Sequence, residues 1–166
     1  MEIHRYETIW FAASLLLIVG FIGTITYGAV GVGVEMVDDS GGTVDPDNLG
    51  SHERFGDTGV HKVNESHYEV NMIAVHPSFI PSEIEIPAGS TVTFYMTASD
   101  VTHGFKLVDS NLNTMIIPGQ VSEITAEFDE PGEYGFVCHE YCGSLHHEMA
   151  GNLSVVPEDE WGGVDS

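Results

Sequence analysis

Residues 87–98, PAGSTVTFYMTA, decide the fold class of this chain. The first three of them form a turn, and Val92, Phe94 and Met96 then alternate with more polar neighbours. An apolar residue at every second position predicts a strand with one buried face. The stretch therefore predicts a half-buried strand that begins directly after a tight turn.

Further short strands lie on both sides of this one, separated by turn residues. Together with it we predict strands at residues 68–75, 91–98, 103–108, 113–117, 123–128, 133–138 and 152–156. About seven strands at this spacing indicate a Greek-key β-sandwich or barrel. We therefore predict an all-β domain over residues 67–157, followed by a short acidic tail over residues 158–166.

A long apolar run precedes the domain. Thr8–Val34 spans 27 residues, and none of them is charged. A membrane-spanning helix needs about 20 residues, whereas the apolar core of a cleaved signal peptide has only about 7–15. We therefore predict one transmembrane anchor within residues 1–34, embedded in the lipid of the cell membrane. Because Arg5 precedes the run, the positive-inside tendency predicts a cytoplasmic N-terminus and an outer domain beyond the helix.

The stretch between the anchor and the domain, residues 35–66, is rich in Gly and Asp. It sustains neither a helical nor an alternating apolar pattern. This composition predicts a solvated, partly ordered linker.

The charge of the chain is strongly one-sided. Lys and Arg total 4 against 26 Asp and Glu, a net charge of −22. Binding to phosphates needs a basic face, so the composition excludes nucleic acid as a partner. A high net charge destabilises a compact state unless salt screens it. We therefore favour adaptation to concentrated salt, and a halophilic archaeal source, over an acidic docking face.

The loop predicted between the last two strands reads CHEYCGSLHHEM, residues 138–149. Cys142, His146 and Met149 lie on it, and His103 begins an upstream strand. One thiolate, two imidazoles and one thioether are the ligands of a mononuclear blue copper site. The rim of a β-sandwich can bring such a set together.

A second cysteine on the same loop, Cys138, enlarges this set. Two thiolates at C-x3-C spacing can bridge two copper ions, each of which takes one imidazole. Met149 is then a weak ligand of one ion, and the backbone carbonyl of Glu140 is well placed for the other. An electron shared by two ions leaves the site little changed on reduction, which suits electron transfer.

Three other interpretations of this loop stay open. A structural zinc ion could take both cysteines with His103 and His146, but it gives Met149 no role. A disulfide between the two cysteines would suit an oxidising compartment, but it leaves the other ligands unexplained. A mononuclear copper site would leave one cysteine spare. We favour two copper ions because that site uses every soft ligand of the loop.

The chain has nine histidines, and not all of them are expected to be ligands. His147 competes with its neighbour His146, and only the spacing to Cys142 separates the two. We expect five others to be ordinary surface residues: His4, His52, His61, His67 and His76.

Two stretches carry a resemblance to a known family: DVTHGF, residues 100–105, and the loop over residues 138–149. They resemble the purple-copper (CuA) domain of subunit II of cytochrome c oxidase. That family's loop reads C-x-E/Q-x-C-G-x-x-H-x-x-M, and its first histidine stands in a D-V-x-H motif. The resemblance covers about Met72 to Val156 together with the anchor, and it implies a cupredoxin-like fold. It also implies six ligands for two copper ions: His103, Cys138, Glu140 through its carbonyl, Cys142, His146 and Met149.

The single N-terminal helix resembles the B-type branch of the haem–copper oxidases, and Tyr6-Glu7-x-x-Trp10 at its start strengthens this. In that branch a glutamate at this place lies at the cytoplasmic mouth of the proton channel that feeds the catalytic subunit. Glu7 is therefore a candidate proton collector. The alternative is a glutamate that the helix dipole favours at an N-terminus.

The resemblance implies an electron-transfer subunit that has no catalytic acid–base residues of its own. Electrons would pass from a soluble donor, either a small blue copper protein or cytochrome c, to haem in the catalytic subunit I, which reduces oxygen to water. Candidate docking residues are Phe79, Tyr141 and Leu145, although the stretch 74–79 has fewer aromatics than is usual in the family. Two alternative functions are the CuA subunit of a related nitric oxide reductase and a membrane-tethered copper carrier.

Overall fold

The computed structural model describes residues 4–31 and 41–163. The chain divides into two compact units, residues 1–36 and residues 37–166. The first contains one helix, and the second contains the strands.

Helix α1 spans Arg5–Gly31, and its segment Arg5–Gly28 is long and apolar enough to cross a membrane. At about 1.5 Å per residue, 27 residues reach about 40 Å, which exceeds the ~30 Å hydrocarbon core of a bilayer. Large apolar side chains are exposed all around the helix, as expected of a helix surrounded by lipid. The helix begins three residues before the predicted span, and the last predicted residues, 32–34, lie outside the described part of the chain.

Ten strands lie in the described part of the second unit. They are β1 Gly59–Lys62, β2 His67–Val75, β3 Ser78–Ile80, β4 Glu83–Pro87, β5 Ser90–Ala98, β6 His103–Leu107, β7 Asn113–Ile116, β8 Ser122–Phe128, β9 Gly132–Val137 and β10 Ala150–Val156. One five-stranded sheet runs in the order β1-β2-β5-β8, with β3 also paired to β2, and the other runs β4-β10-β9-β6-β7. The pairs β2–β5 and β4–β10 are parallel, and the other pairs are antiparallel.

The alternating pattern of β5 places it at the centre of its sheet. Phe94 lies opposite Val70 of β2 on one side and opposite Ile124 of β8 on the other. Inward residues at every second position pack one core against the second sheet, as expected from the two-residue period of a strand. The cupredoxin-like sandwich predicted from the sequence is confirmed.

Four phenyl rings fill the core beneath one end of the sandwich, and we call them the aromatic floor: Phe79, Phe94, Phe105 and Phe136. Each ring is at most 2% exposed. The centroids of Phe105 and Phe136 lie 5.3 Å apart, and those of Phe79 and Phe136 lie 5.4 Å apart. These distances are typical of favourable aromatic pairs.

All seven predicted strands are present, and their ends agree to within two residues. The sequence analysis missed β1, β3 and β4. Strand β1 lies within the Gly- and Asp-rich stretch that was predicted to be a linker. Prolines at positions 77, 81 and 87 interrupt the segment that contains β3 and β4 and lower its strand signal.

The stretch predicted to be a solvated, partly ordered linker contains regular structure in its second part. Its first residues, 35–40, lie outside the described part. Residues 41–66 contain the 3₁₀ helix Pro46–Ser51 and strand β1. Four apolar side chains here and on a neighbouring turn form a second buried group, which we call the outer cluster: Val44, Leu49, Phe55 and Val121.

Arg54 lies over the ring of Tyr95 beside this outer cluster. The guanidinium carbon is 3.6 Å from the ring centroid, and Nη1 is 2.6 Å from a carboxylate oxygen of Glu69. Burial raises the pKa of Tyr95, and the nearby Glu123 and Glu69 raise it further, while Arg54 opposes the rise.

The segment predicted to be an acidic tail also packs onto the domain. The ring of Trp161 meets that of Tyr68 edge-on, with centroids 5.0 Å apart. Residues 164–166 lie outside the described part of the chain.

Candidate metal centre

The predicted ligands converge at the end of the sandwich above the aromatic floor, and we call this place the metal end. His103 is the first residue of β6 and is fully buried. The loop 138–149 connects β9 to β10, and the amide of Cys138 donates to the carbonyl of Met149 at 3.0 Å. This hydrogen bond closes the base of the loop, so both of its ends are held by the second sheet.

Two buried sulfurs lie at the middle of the site. The Sγ atoms of Cys138 and Cys142 are 3.9 Å apart, nearly twice the ~2.05 Å of a disulfide bond. Both residues are free thiols. Together with His103 they form a group whose ligand atoms all lie within 4.8 Å of one another.

The other candidate ligands lie on either side of these sulfurs. On one side, Cys138 Sγ is 3.9 Å from His103 Nδ1 and 3.2 Å from the carbonyl oxygen of Glu140. On the other side, Cys142 Sγ is 3.5 Å from His146 Nδ1 and 3.6 Å from the sulfur of Met149. Each sulfur therefore has one imidazole and one weak ligand atom beside it.

Asp100 orients His103. Its Oδ1 accepts a hydrogen bond from His103 Nε2 at 2.8 Å. A carboxylate only accepts, so Nε2 carries the proton and Nδ1 presents its lone pair to the sulfurs. Burial would raise the pKa of Asp100, but hydrogen bonds from the His103 ring and from the His76 and Val101 amides lower it overall. The carboxylate therefore stays ionised and holds the tautomer that a metal ion requires.

The thiols show why this site fits a soft cation. Burial raises the pKa of Cys142 to about 11, and the adjacent Cys138 raises it as well. Thiolates, not thiols, bind metal ions, so the sulfurs must lose protons as a cation replaces them. Two buried sulfurs, a thioether and two imidazoles match the ligands that copper prefers.

The loop turns outward between Gly143 and Leu145. Gly143 has φ +133°, and Leu145 is left-handed with φ 64°, a conformation that costs a non-glycine residue about 1–2 kcal/mol. Leu145 is 48% exposed and Tyr141 is 77% exposed. The loop therefore presents two large apolar side chains to its surroundings, beside the ligands.

Phe79 does not belong to this exposed surface. The sequence suggested it as a docking residue because it is the only aromatic in its stretch. Its side chain is 2% exposed and belongs to the aromatic floor. It faces inward because Phe79 pairs with the buried Ala74 across β2 and β3, so it cannot contact a partner.

The structure shows which of the remaining histidines lie near the metal end and how each is placed. His147 points away from the sulfurs: its side chain is 77% exposed, and its Nε2 lies 3.6 Å from Glu148. The ring of His139 covers Gly104, where a Cβ atom would come within 2.6 Å of it. His76, expected to be an ordinary surface residue, instead contacts the backbone carbonyl of Ser144 through its ring. No sequence signal marks His76, because it lies far upstream of the loop.

Comparison with known proteins agrees with this geometry. A cupredoxin-like domain family matches residues 54–155. The cytochrome c oxidase subunit 2 of Thermus thermophilus is 33% identical over 157 residues, which cover 92% of this chain and 93% of that protein. The nitrous-oxide reductase of Stutzerimonas stutzeri is 36% identical over 92 residues, but these are only 14% of the reductase. In a cryo-EM structure of a heme-copper terminal oxidase dimer, one chain is 32% identical with a TM-score of 0.76, over 91% of this chain and 99% of that chain. The chain therefore belongs to the cytochrome c oxidase subunit 2 family, as its loop motif predicted, and it carries a cupredoxin-like domain after an N-terminal apolar helix.

Proposed function

We propose that this chain receives electrons one at a time from a soluble donor and passes them to haem in the catalytic subunit of an oxygen-reducing oxidase. Membership of the family implies a catalytic subunit I as partner. A pair of copper ions would supply the redox chemistry when bound at the metal end. The observation that supports this function is the pair of sulfurs 3.9 Å apart with an imidazole beside each of them.

Each part of the chain at the metal end has a task in this proposal. The ligands would be His103, Cys138, the Glu140 carbonyl, Cys142, His146 and Met149. The two thiols give up their protons on metal binding, and Asp100 keeps the proton on the far nitrogen of His103. The buried strands beneath hold the ligands in place, so they need not rearrange between redox states.

Copper stoichiometry and electron paramagnetic resonance of the full-length chain in detergent test this proposal. We expect two copper ions per chain and a signal with hyperfine splitting from two equivalent nuclei. One ion per chain, or uptake of zinc alone, would refute it. Reversible binding of copper(I) without such a signal would instead indicate a copper carrier. A purified complex that reduces nitric oxide but not oxygen would assign the chain to the related reductase.

The exposed side chains of Tyr141 and Leu145 are the proposed docking site for the donor. In molar salt the Debye length falls to about 3 Å, so an apolar contact is favoured over long-range attraction. We expect Leu145→Glu to slow electron transfer from a small blue copper protein or cytochrome c by about tenfold, with the copper signal unchanged.

A suitable control is Val108→Glu. Val108 is 40% exposed and follows the opposite end of β6 from His103. An equal loss of rate in both variants would show that added charge, and not the docking contact, is responsible.

Glu7 is proposed to collect protons for the catalytic subunit, on the cytoplasmic side of a single-pass helix. It lies in the first turn of α1, and its carboxylate accepts a hydrogen bond from the amide of His4 at 3.0 Å. Glu7→Gln keeps an acceptor for this amide but cannot ionise. We expect it to slow turnover of the oxidase several-fold while the copper signal stays unchanged. Wild-type turnover would mean that Glu7 only caps the helix.

A further inference from the structure

His76 lies between the two segments that carry the candidate ligands. It follows the last residue of β2 and is half-buried. One of its contacts leads to His103 on β6, and another leads to the loop that carries Cys142 and His146. Neither contact was expected, because His76 is distant in sequence from both segments.

The first contact runs through Asp100. The backbone amide of His76 donates to Asp100 Oδ2 at 2.8 Å, while the other oxygen of that carboxylate accepts from His103 Nε2 at 2.8 Å. Both oxygens of Asp100 are therefore engaged, and the Val101 amide also bonds the carboxylate. The carboxylate cannot turn toward or away from His103 without losing the bond to His76.

The second contact is made by the imidazole ring. Nε2 of His76 bonds the backbone carbonyl of Ser144. A carbonyl only accepts, so this nitrogen carries the proton and donates. The same ring also lies against Gly143, where a Cβ atom would be 3.2 Å from Cδ2 and Nε2. The ring therefore covers the outer turn of the loop as well as bonding to it.

Within the described residues, no other hydrogen bond joins this turn to a residue outside the loop. The remaining hydrogen bonds of residues 143–145 stay within the loop: His146 donates to Gly143, and Glu148 donates to Leu145. The bond between Cys138 and Met149 closes only the base of the loop. The ring of His76 is thus the hydrogen-bonding tie between the outer turn and the rest of the domain.

We propose that His76 is a positioning residue that holds the Cys142–His146 side of the metal centre at a constant distance from the His103 side. The inference rests on the proposed copper-binding function. Its ring restrains the outer turn, and its amide restrains the carboxylate that orients His103. Loss of the ring lets the outer turn move away, and the centre then releases copper more readily.

The test compares two substitutions of similar size in the full-length chain. Gln in His76→Gln can still donate to the Ser144 carbonyl, whereas Leu in His76→Leu cannot. We expect His76→Leu to lose copper to a chelator about tenfold faster than the wild type, as is usual when a partner of a metal ligand is removed. We expect His76→Gln to lose copper at a rate within about threefold of the wild type, and to show the wild-type electron paramagnetic resonance signal.

His67→Leu is the matched control. His67 is the first residue of β2, the strand that His76 follows; it is also half-buried, and its ring bonds Thr93 at 3.0 Å. It has no hydrogen bond to the loop. Equally fast copper loss in this variant would show that removal of either histidine ring weakens the domain, and would overturn the proposal.

Hydrogen exchange on the metal-free chain gives a second readout that does not need copper. We expect His76→Leu to speed exchange at the amides of His146, Glu148 and Met149, but not along β5. Unchanged exchange and an unchanged copper-release rate in His76→Leu would overturn the positioning role. A wild-type chain that binds no copper pair, with the loop still restrained by His76, would refute only the proposed function.

Discussion

The metal end and the outer cluster belong to the same sandwich, but their residues are distributed differently along the sequence. The metal end takes five of its six candidate ligand residues from one twelve-residue loop, residues 138–149. The outer cluster takes its side chains from widely spaced positions, and one of them, Val121, lies more than 60 residues after the other three. Chemistry concentrated in one loop is visible in a sequence, whereas packing between distant residues is not.

The two regions should therefore respond separately to mutation. A substitution at the metal end should change copper binding and leave the stability of the metal-free chain nearly constant. A substitution in the outer cluster should do the reverse. The predictions below test this separation, beginning with the largest effect.

Removal of one central sulfur should give the largest effect. We expect Cys142→Ser to abolish the two-copper signal, because a hydroxyl does not bridge two soft ions as a thiolate does. The metal-free variant should lose only about 1 kcal/mol of stability, because Ser is close in size to Cys but places a hydroxyl at a buried site. Metal analysis and denaturant unfolding measure the two quantities. A persisting two-copper signal would contradict the proposed ligands.

Phe55→Ala tests the outer cluster. Phe55 is 2% exposed, and truncation of such a ring costs about 3 kcal/mol. We expect the free energy of unfolding to fall by this amount, while the copper signal remains that of the wild type. Val63→Ala is the control, because Val63 is 52% exposed. A changed copper signal in Phe55→Ala would show that the two regions are coupled.

Gly104→Ala should affect both quantities. Its added Cβ would come within 2.6 Å of the ring of His139, which must move, and His139 adjoins Cys138. Overpacking of this kind costs about 2 kcal/mol, and we also expect a shifted copper signal. At Gly135 the nearest atom would be 3.9 Å away, so Gly135→Ala is the matched control. An unshifted signal in Gly104→Ala would mean that the His139 ring moves without disturbing the sulfur beside it.

Arg54→Met should have the smallest effect. A half-exposed ion pair and a cation–π contact together contribute about 1 kcal/mol, and molar salt should reduce the ion-pair part. Because Arg54 opposes the raised pKa of Tyr95, ultraviolet titration should show that pKa rising further. Lys62→Met removes the same charge and only a longer cation–π contact, 5.9 Å from the Trp161 ring centroid, so an equal loss of stability in both variants would contradict a specific role of the Arg54 contacts.

Much of the fold followed from local patterns. The alternation of apolar and polar residues predicted the strand that contains Phe94, and a long run without charged residues predicted α1. The candidate site followed from ligand spacing, and the structure brings the sulfurs of Cys138 and Cys142 together near His103. The preference for His146 over His147 also followed from spacing alone, and in the structure only His146 lies against a sulfur.

What escaped prediction depends on tertiary contacts. Phe79 is buried because β3 pairs with β2, and a three-residue strand leaves no periodicity from which to infer this. His76 acquires its role only because the chain folds the loop onto it. The outer cluster was hidden within a Gly- and Asp-rich stretch, where Leu49 and Phe55 are too far apart to suggest a helix or a strand.

The aromatic floor has a consequence for how this protein can change over generations. Phe105 stands two residues from His103, Phe136 stands two residues from Cys138, and their rings touch. A substitution that changed the size of either ring would disturb the strand beside a ligand as well as the core, so it would alter the metal centre and the stability together. Selection on electron transfer would therefore also act on buried side chains that no electron donor contacts.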